Sequence, residues 1–227
     1  MNAQIDHLVV AARSLSDGVA WCEATLGITP GPGGEHPLFG THNRLFRIAT
    51  GEYPRAYFEI IAINSEASNA DRAPGKRWFD LDSSALQEAL KSGPNLVHFV
   101  ANTTDVKLAC SALSAQGIDR GPAVQASRMT ANGLLQWQIT VRPDGQRLFN
   151  GGLPTLIQWG EVHPANAMPD SGVALHSLQM QHPQAEQLQA AYQAIGLQGV
   201  TVQAGSPNLI AQLQTPKGLV TLESKGL

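Results

Sequence analysis

The same plan is written three times along this chain, and whatever fold the chain adopts must accommodate all three copies. Each copy opens with a short apolar, strand-like segment carrying a histidine: Ile5-Asp6-His7-Leu8-Val9-Val10, Leu96-Val97-His98-Phe99-Val100 and Val173-Ala174-Leu175-His176-Ser177-Leu178. A helix start follows each one. The signals are Ser14 or Ser16 with Asp17, Thr103 or Thr104 with Asp105, and His182 before Pro183. Each helix runs to a glycine placed to close it in the left-handed conformation: Gly27, Gly117 and Gly196. The separations from His7, His98 and His176 to these glycines are 20, 19 and 20 residues.

Behind each glycine come strand-like stretches punctuated by turn signals, among them Asn132-Gly133, Asp144-Gly145 and Pro216-Lys217-Gly218. Each copy closes on an apolar strand with one polar residue, Glu59, Gln158 or Glu223. The chain therefore reads as an α+β protein of three βαβββ units. The predicted layout is a first unit over 1–62, a connector with a short helix from about Ser83 over 63–94, and a second unit over 95–160. A linker over 161–172, holding Pro164 and Pro169, then leads to a third unit over 173–227.

Composition narrows the function classes. Of the 227 residues 43% are hydrophobic and only 15% charged, which excludes a disordered chain. A net charge of −3 without any Lys/Arg cluster gives no footprint for nucleic acid or an anionic membrane. No apolar run approaches the roughly 20 residues of a membrane helix, and the first residues lack the pattern of a signal peptide. Cys22 and Cys110 read as core-filling residues of a reducing compartment. The expectation is a cytoplasmic protein with a small-molecule partner. G-x-G-x-x-G, P-loop and G-x-S-x-G motifs are absent from the sequence.

Residues two apart on a strand share a face, so His7, Glu59 and His98 project among apolar neighbours. A lone buried carboxylate is costly, and an opposite charge or a metal is the usual compensation. If the units pack about a pseudo-two-fold, two imidazoles, a carboxylate and an amide would make an N/O site with open positions, suited to Zn, Ni, Co, Mn or Fe. The competing reading is a hydrogen-bonded polar cluster with no ion. His36, His42 and His163 read as loop residues, with His36 or His42 alternatively lining the mouth of a cleft. His182 reads as a helix cap and Trp159 as core, whereas Tyr57 and Trp137 could wall a pocket.

The repeat, with histidine in the first strand and Glu or Gln in the last, resembles the vicinal oxygen chelate superfamily, which includes glyoxalase I and the extradiol dioxygenases. The closer resemblance, to bacterial glyoxalase-like domain proteins, rests on His36-Pro37-Leu38-Phe39-Gly40-Thr41-His42-Asn43-Arg44-Leu45, Tyr57-Phe58-Glu59-Ile60-Ile61, Ser127-Arg128 through Trp137, and Leu153-Pro154 through Trp159. It implies that two units pair so that eight strands curl into a mixed sheet around a cleft, with the third unit appended. It also implies metal ligands at His7, Glu59, His98 and Gln158, with Glu59 doubling as catalytic base. Asn43, Arg128 and Trp137 are the candidates for holding substrate. The implied activity is a metal-dependent lyase or isomerase acting on a small oxygen-rich substrate. The alternatives are a ligand-sequestering binding protein and an Fe(II) extradiol dioxygenase. His176 and Glu223 would form a half-site without a partner in the chain, which suggests a homodimer.

Overall fold

The computed structural model describes residues 2–67, 72–130 and 133–227; of the turn signals, Asn132 lies outside them. The first unit runs β1 (Gln4–Ala11), α1 (Leu15–Leu26), β2 (Glu35–His36), β3 (Thr41–Arg47) and β4 (Tyr57–Ile63). After α2 (Ser84–Ala89) come β5 (Asn95–Asn102), α3 (Val106–Ser114), β6 (Ala123–Thr130), β7 (Gly133–Thr140) and β8 (Thr155–Trp159). The third unit holds β9 (Ala174–Gln181), α4 (Ala185–Ile195), β10 (Val200–Gln203), β11 (Asn208–Thr215) and β12 (Gly218–Glu223).

Local signals account for the helix ends. The Ser14 hydroxyl accepts from the Asp17 N–H and Asp105 from the Leu108 N–H at 2.9 Å. Gly27, Gly117 and Gly196 have φ of 79°, 74° and 66°, the left-handed closure their spacing predicts. Pro183 is not the first helical residue: α4 starts at Ala185, and the His182 ring accepts from the Gln184 N–H just ahead of it.

Units one and two merge into one strongly curled eight-stranded mixed sheet, a half-barrel with order β2-β3-β4-β1-β5-β8-β7-β6. In each unit the first strand lies parallel to the last, β1 with β4 and β5 with β8. The two first strands meet antiparallel at the centre. Two bulges interrupt that central pair. Asp6 is an extra residue on β1, between Ile5↔Ala101 and His7↔Val100, and Val97 is extra on β5, between Val9↔His98 and Val10↔Leu96.

The sheet carries a core on each face. One packs α1, α3 and α4 with Leu8, Val10, Phe58 and Phe99, and continues into the third unit through Leu178, Leu209 and Leu213. The other lies inside the curl, where the connector inserts Trp78, Phe79 and Leu81 against Val9, Val100 and Ile157. Trp78 stacks between Phe39 and Phe79, at centroid distances of 3.9 and 4.9 Å.

The third unit keeps the element order but changes the pairing, forming a separate sheet of order β10-β9-β11-β12. Without a fourth copy beside it, β9 fills its free side with β10, parallel across the α4 crossover. It is thus hydrogen-bonded on both sides within the chain, and the ground for expecting a second subunit there is removed. His176 is the extra residue of another bulge and is exposed, while Glu223 sits on β12 beyond β11. These two residues form no half-site.

Candidate active-site cleft

The floor of the cleft is built by the Asp6 bulge. A regular strand would send Asp6 and His7 to opposite faces, whereas the extra residue lets both enter one polar network. Asp6 is 1% exposed and accepts four hydrogen bonds. They come from His7 Nδ1 (2.7 Å), Trp159 Nε1 (2.9 Å), His163 Nε2 (3.0 Å) and Asn102 Nδ2 (3.3 Å). The other ring nitrogen of His7, Nε2, lies 3.6 Å from Glu59 Oε2, and its ring stacks on Tyr57 at 4.5 Å. The second Glu59 oxygen accepts from Asn43 Nδ2 at 2.6 Å. Asn43 in turn accepts from the Gly34 N–H at 2.8 Å.

Charge follows from this geometry. Burial works against the His7 imidazolium, but the hydrogen bond to Asp6 and the close carboxylates of Asp6 and Glu59 carry its pKa up to about 9. Burial would raise both carboxyls. Hydrogen bonds from His163 and His7 nevertheless hold Asp6 well below the carboxylate range, and the close His7 imidazolium with the hydrogen bond from Asn43 lowers Glu59. At neutral pH the floor is a carboxylate–imidazolium–carboxylate line. His36, at the cleft wall, is the opposite case: burial, with further help from Arg128, brings it down to about 4, so it stays neutral.

The cleft is narrow, about 40 Å³, and Trp137, Trp159, Tyr57 and Arg128 line it beside the floor residues. Arg128 lies where it joins a groove of about 690 Å³ formed by the 28–35 loop, β6 and the 162–171 segment. Among the described residues Arg128 makes no hydrogen bond or ion pair. Its guanidinium reaches this point across Gly34, where a Cβ would fall 1.4 Å from Arg128 Nη1. At Gly33 a Cβ would meet the Asn43 carbonyl oxygen at 2.0 Å. The Gly33-Gly34 pair therefore lets both polar side chains into the cleft.

The expected site residues divide. His7, Glu59, Asn43, Arg128 and Trp137 share the cleft, but His98 and Gln158 do not join them. Next to the Val97 bulge, His98 is fully buried, facing Gly151 O (2.9 Å) with Nδ1 and accepting the Thr155 N–H (3.0 Å) at Nε2. Burial and the charges of Arg120 and Arg147 hold it well below its ordinary pKa. Gln158 accepts the Val106 N–H at 2.9 Å, tying the first turn of α3 to β8. Its neighbours Ile157 and Trp159 line the cleft instead. Among the described residues no three His, Cys, Asp or Glu side chains converge on a point an ion could occupy. The donor set expected for a divalent metal therefore does not fit, and the two-histidine-one-carboxylate set for ring cleavage is not assembled.

Asp6 is not among the expected site residues, and the structure moves His163 out of the solvated loop, and Trp159 out of the simple core role, that the sequence suggests for them. His163 is buried, and both donate to Asp6. The available signals were the Asp-His pair inside an apolar strand and the Gly-Gly pair ahead of β3.

Two βαβββ units joined into one curled sheet around a cleft define the fold class of the vicinal oxygen chelate superfamily. The profile of the glyoxalase-like domain family matches residues 5–196, and the chain belongs to that family. Among solved structures, a hypothetical protein from Staphylococcus aureus is similar in fold at 14% identity, with 97% of this chain and 85% of that one covered and a TM-score of 0.58. A methylmalonyl-CoA epimerase from Streptomyces coelicolor aligns at 18% identity, over 70% of this chain and 96% of that one, with a TM-score of 0.41. Among curated proteins nothing matches. No helix among the described residues is long and apolar enough to cross a membrane.

Proposed function

We propose that the cleft and groove form one site for an organic anion with an apolar body, and that the site moves a proton on carbon next to a carbonyl group. The observation that carries this reading is the Asp6–His7–Glu59 line on the floor of a cleft whose mouth holds Arg128, a cation with no partner among the described residues. In the proposed step the Glu59 carboxylate takes the acidic proton. The electron pair of the broken C–H bond moves to the carbonyl oxygen as an enolate, which the His7 imidazolium and Arg128 stabilise. The proton on Glu59 exchanges with solvent, and Glu59 then protonates the enolate carbon. Asp6 positions His7 through Nδ1, so that Nε2 is the end offered to the cleft. The apolar groove walls, Leu45, Phe46, Leu135 and Met168 among them, suit an alkyl or aryl tail.

A suitable probe is 2-oxooctanoate in deuterated water, with exchange at C3 followed by proton NMR. The expected result is exchange catalysed by the protein, a loss of about 100-fold or more in Glu59→Gln, and retained binding in that variant. Arg128→Ala should weaken binding about tenfold or more. Uncatalysed exchange throughout, with binding intact, would instead support sequestration of the ligand. The bonds already made to Glu59 by Asn43 and His7 favour that second reading.

A further inference from the structure

The connector occupies much of the space inside the curl of the sheet, and two of its residues do so in a costly conformation. Phe79 and Asp80 have φ of 60° and 58°, the left-handed region that residues with a Cβ rarely adopt. Asp tolerates it better than most, but for a residue as bulky as Phe it persists only where the surroundings over-determine it. Here the surroundings are a clasp from the second unit. The Asp80 N–H donates to Gly145 O at 2.9 Å, and the Asp80 carboxylate pairs with Arg147 Nε at 2.9 Å and accepts the Arg147 N–H at 3.2 Å. Arg147 also donates from Nη1 to Val97 O at 2.7 Å, on the bulge of β5. Gly145 permits this approach, because a Cβ there would fall 2.1 Å from Arg77 O.

The clasp fixes the Phe79 ring, which stacks on Trp78 and lies 5.2 Å, centroid to centroid, from the His98 imidazole. Among the described residues, Trp78 and Phe79 line the cleft and not the groove, whereas Leu45, Arg128 and Pro164 line both. The two rings therefore close the end of the cleft that lies away from the groove. The space they leave beside Glu59 is about 40 Å³, against about 690 Å³ in the groove. A ligand reaching Glu59 can place its bulk on one side only.

From this geometry we infer that Phe79 is the specificity-determining residue of the site, and that the substrate is an anion whose carbon next to the carbonyl is an unbranched methylene. The inference rests on cleft and groove being one ligand site, and it narrows the ligands that site accepts. His98, expected to ligate a cation, becomes a support behind the Phe79 ring. Calorimetric titration with three ligands tests this: 2-oxooctanoate, racemic 3-methyl-2-oxooctanoate, branched at the reacting carbon, and 7-methyl-2-oxooctanoate, branched in the tail. The wild-type protein should bind the 3-methyl compound about tenfold or more weakly than 2-oxooctanoate, and the 7-methyl compound about as well. Phe79→Ala should bring the first ratio to about threefold or less and leave the second unchanged. Ratios taken on one preparation do not depend on how much of it is folded. Should Phe79→Ala fail to fold, Phe79→Leu, which keeps an apolar side chain in the core, should narrow the first ratio about threefold. Equal binding of all three ligands by the wild type, or a first ratio unmoved in the variant that folds, overturns the inference. A wild-type protein that binds none of the three overturns both it and the proposed site. Ratios as expected without deuterium exchange uphold the size limit and overturn only the proton transfer.

Discussion

Asp6 and His7 are sequence neighbours whose properties are set by each other. The imidazolium is stabilised in the folded chain, with its pKa raised from 6.5 to about 9, so its contribution is complete below 6.5 and is lost as pH rises through 9. Asp6 and Glu59 are shifted downward, so their contributions are present above the carboxylate range and are lost as pH falls into it. Stability should therefore decline on both sides of a plateau, and the part of the alkaline limb between pH 6.5 and about 9 should disappear in His7→Gln; urea unfolding across pH checks this. Asp6→Asn should cost about 3–5 kcal/mol, because it leaves buried donors facing a neutral amide. It should also bring the His7 midpoint below 9 in an NMR titration.

At the scale of elements, the repeat was legible because helix-closing glycines and strand histidines recur at fixed separations, and the structure keeps those separations. The facing of single side chains was not. In Thr155–Trp159, Gln158 is flanked by residues apolar enough to line the cleft, and a one-residue difference in register decides which of them does. The bulges at Asp6 and Val97 have no sequence signature, yet they bring Asp6 in and accompany the displacement of His98. Two substitutions separate the roles involved. Gln158→Ala removes a hydrogen bond to the start of α3 and should lower stability by about 1 kcal/mol, with ligand binding unchanged. Gly34→Ala puts a methyl where Arg128 Nη1 lies, and should weaken binding of 2-oxooctanoate much as Arg128→Ala does. Urea unfolding and calorimetric titration distinguish the two outcomes.

Taken as a whole molecule, the third unit is part of the core. Its apolar face shares one cluster with Leu8, Val10 and Phe99, and Tyr192 Oη donates to the carbonyl of Gly152. A chain ending at Gly172 would expose that surface. It should bind a hydrophobic dye and lack a cooperative thermal transition, and a sharp transition in the truncated chain would contradict this account. The duplicated sheet has also become chemically lopsided. His7 and Glu59 come from the first unit, whereas the cleft residues of the second include Trp137, Ile157 and Trp159. With a carboxylate on one wall and aromatic rings on the other, a planar intermediate would be reprotonated from the side that lost its hydrogen. Turnover in deuterated water should accordingly label one prochiral position and leave its mirror twin untouched.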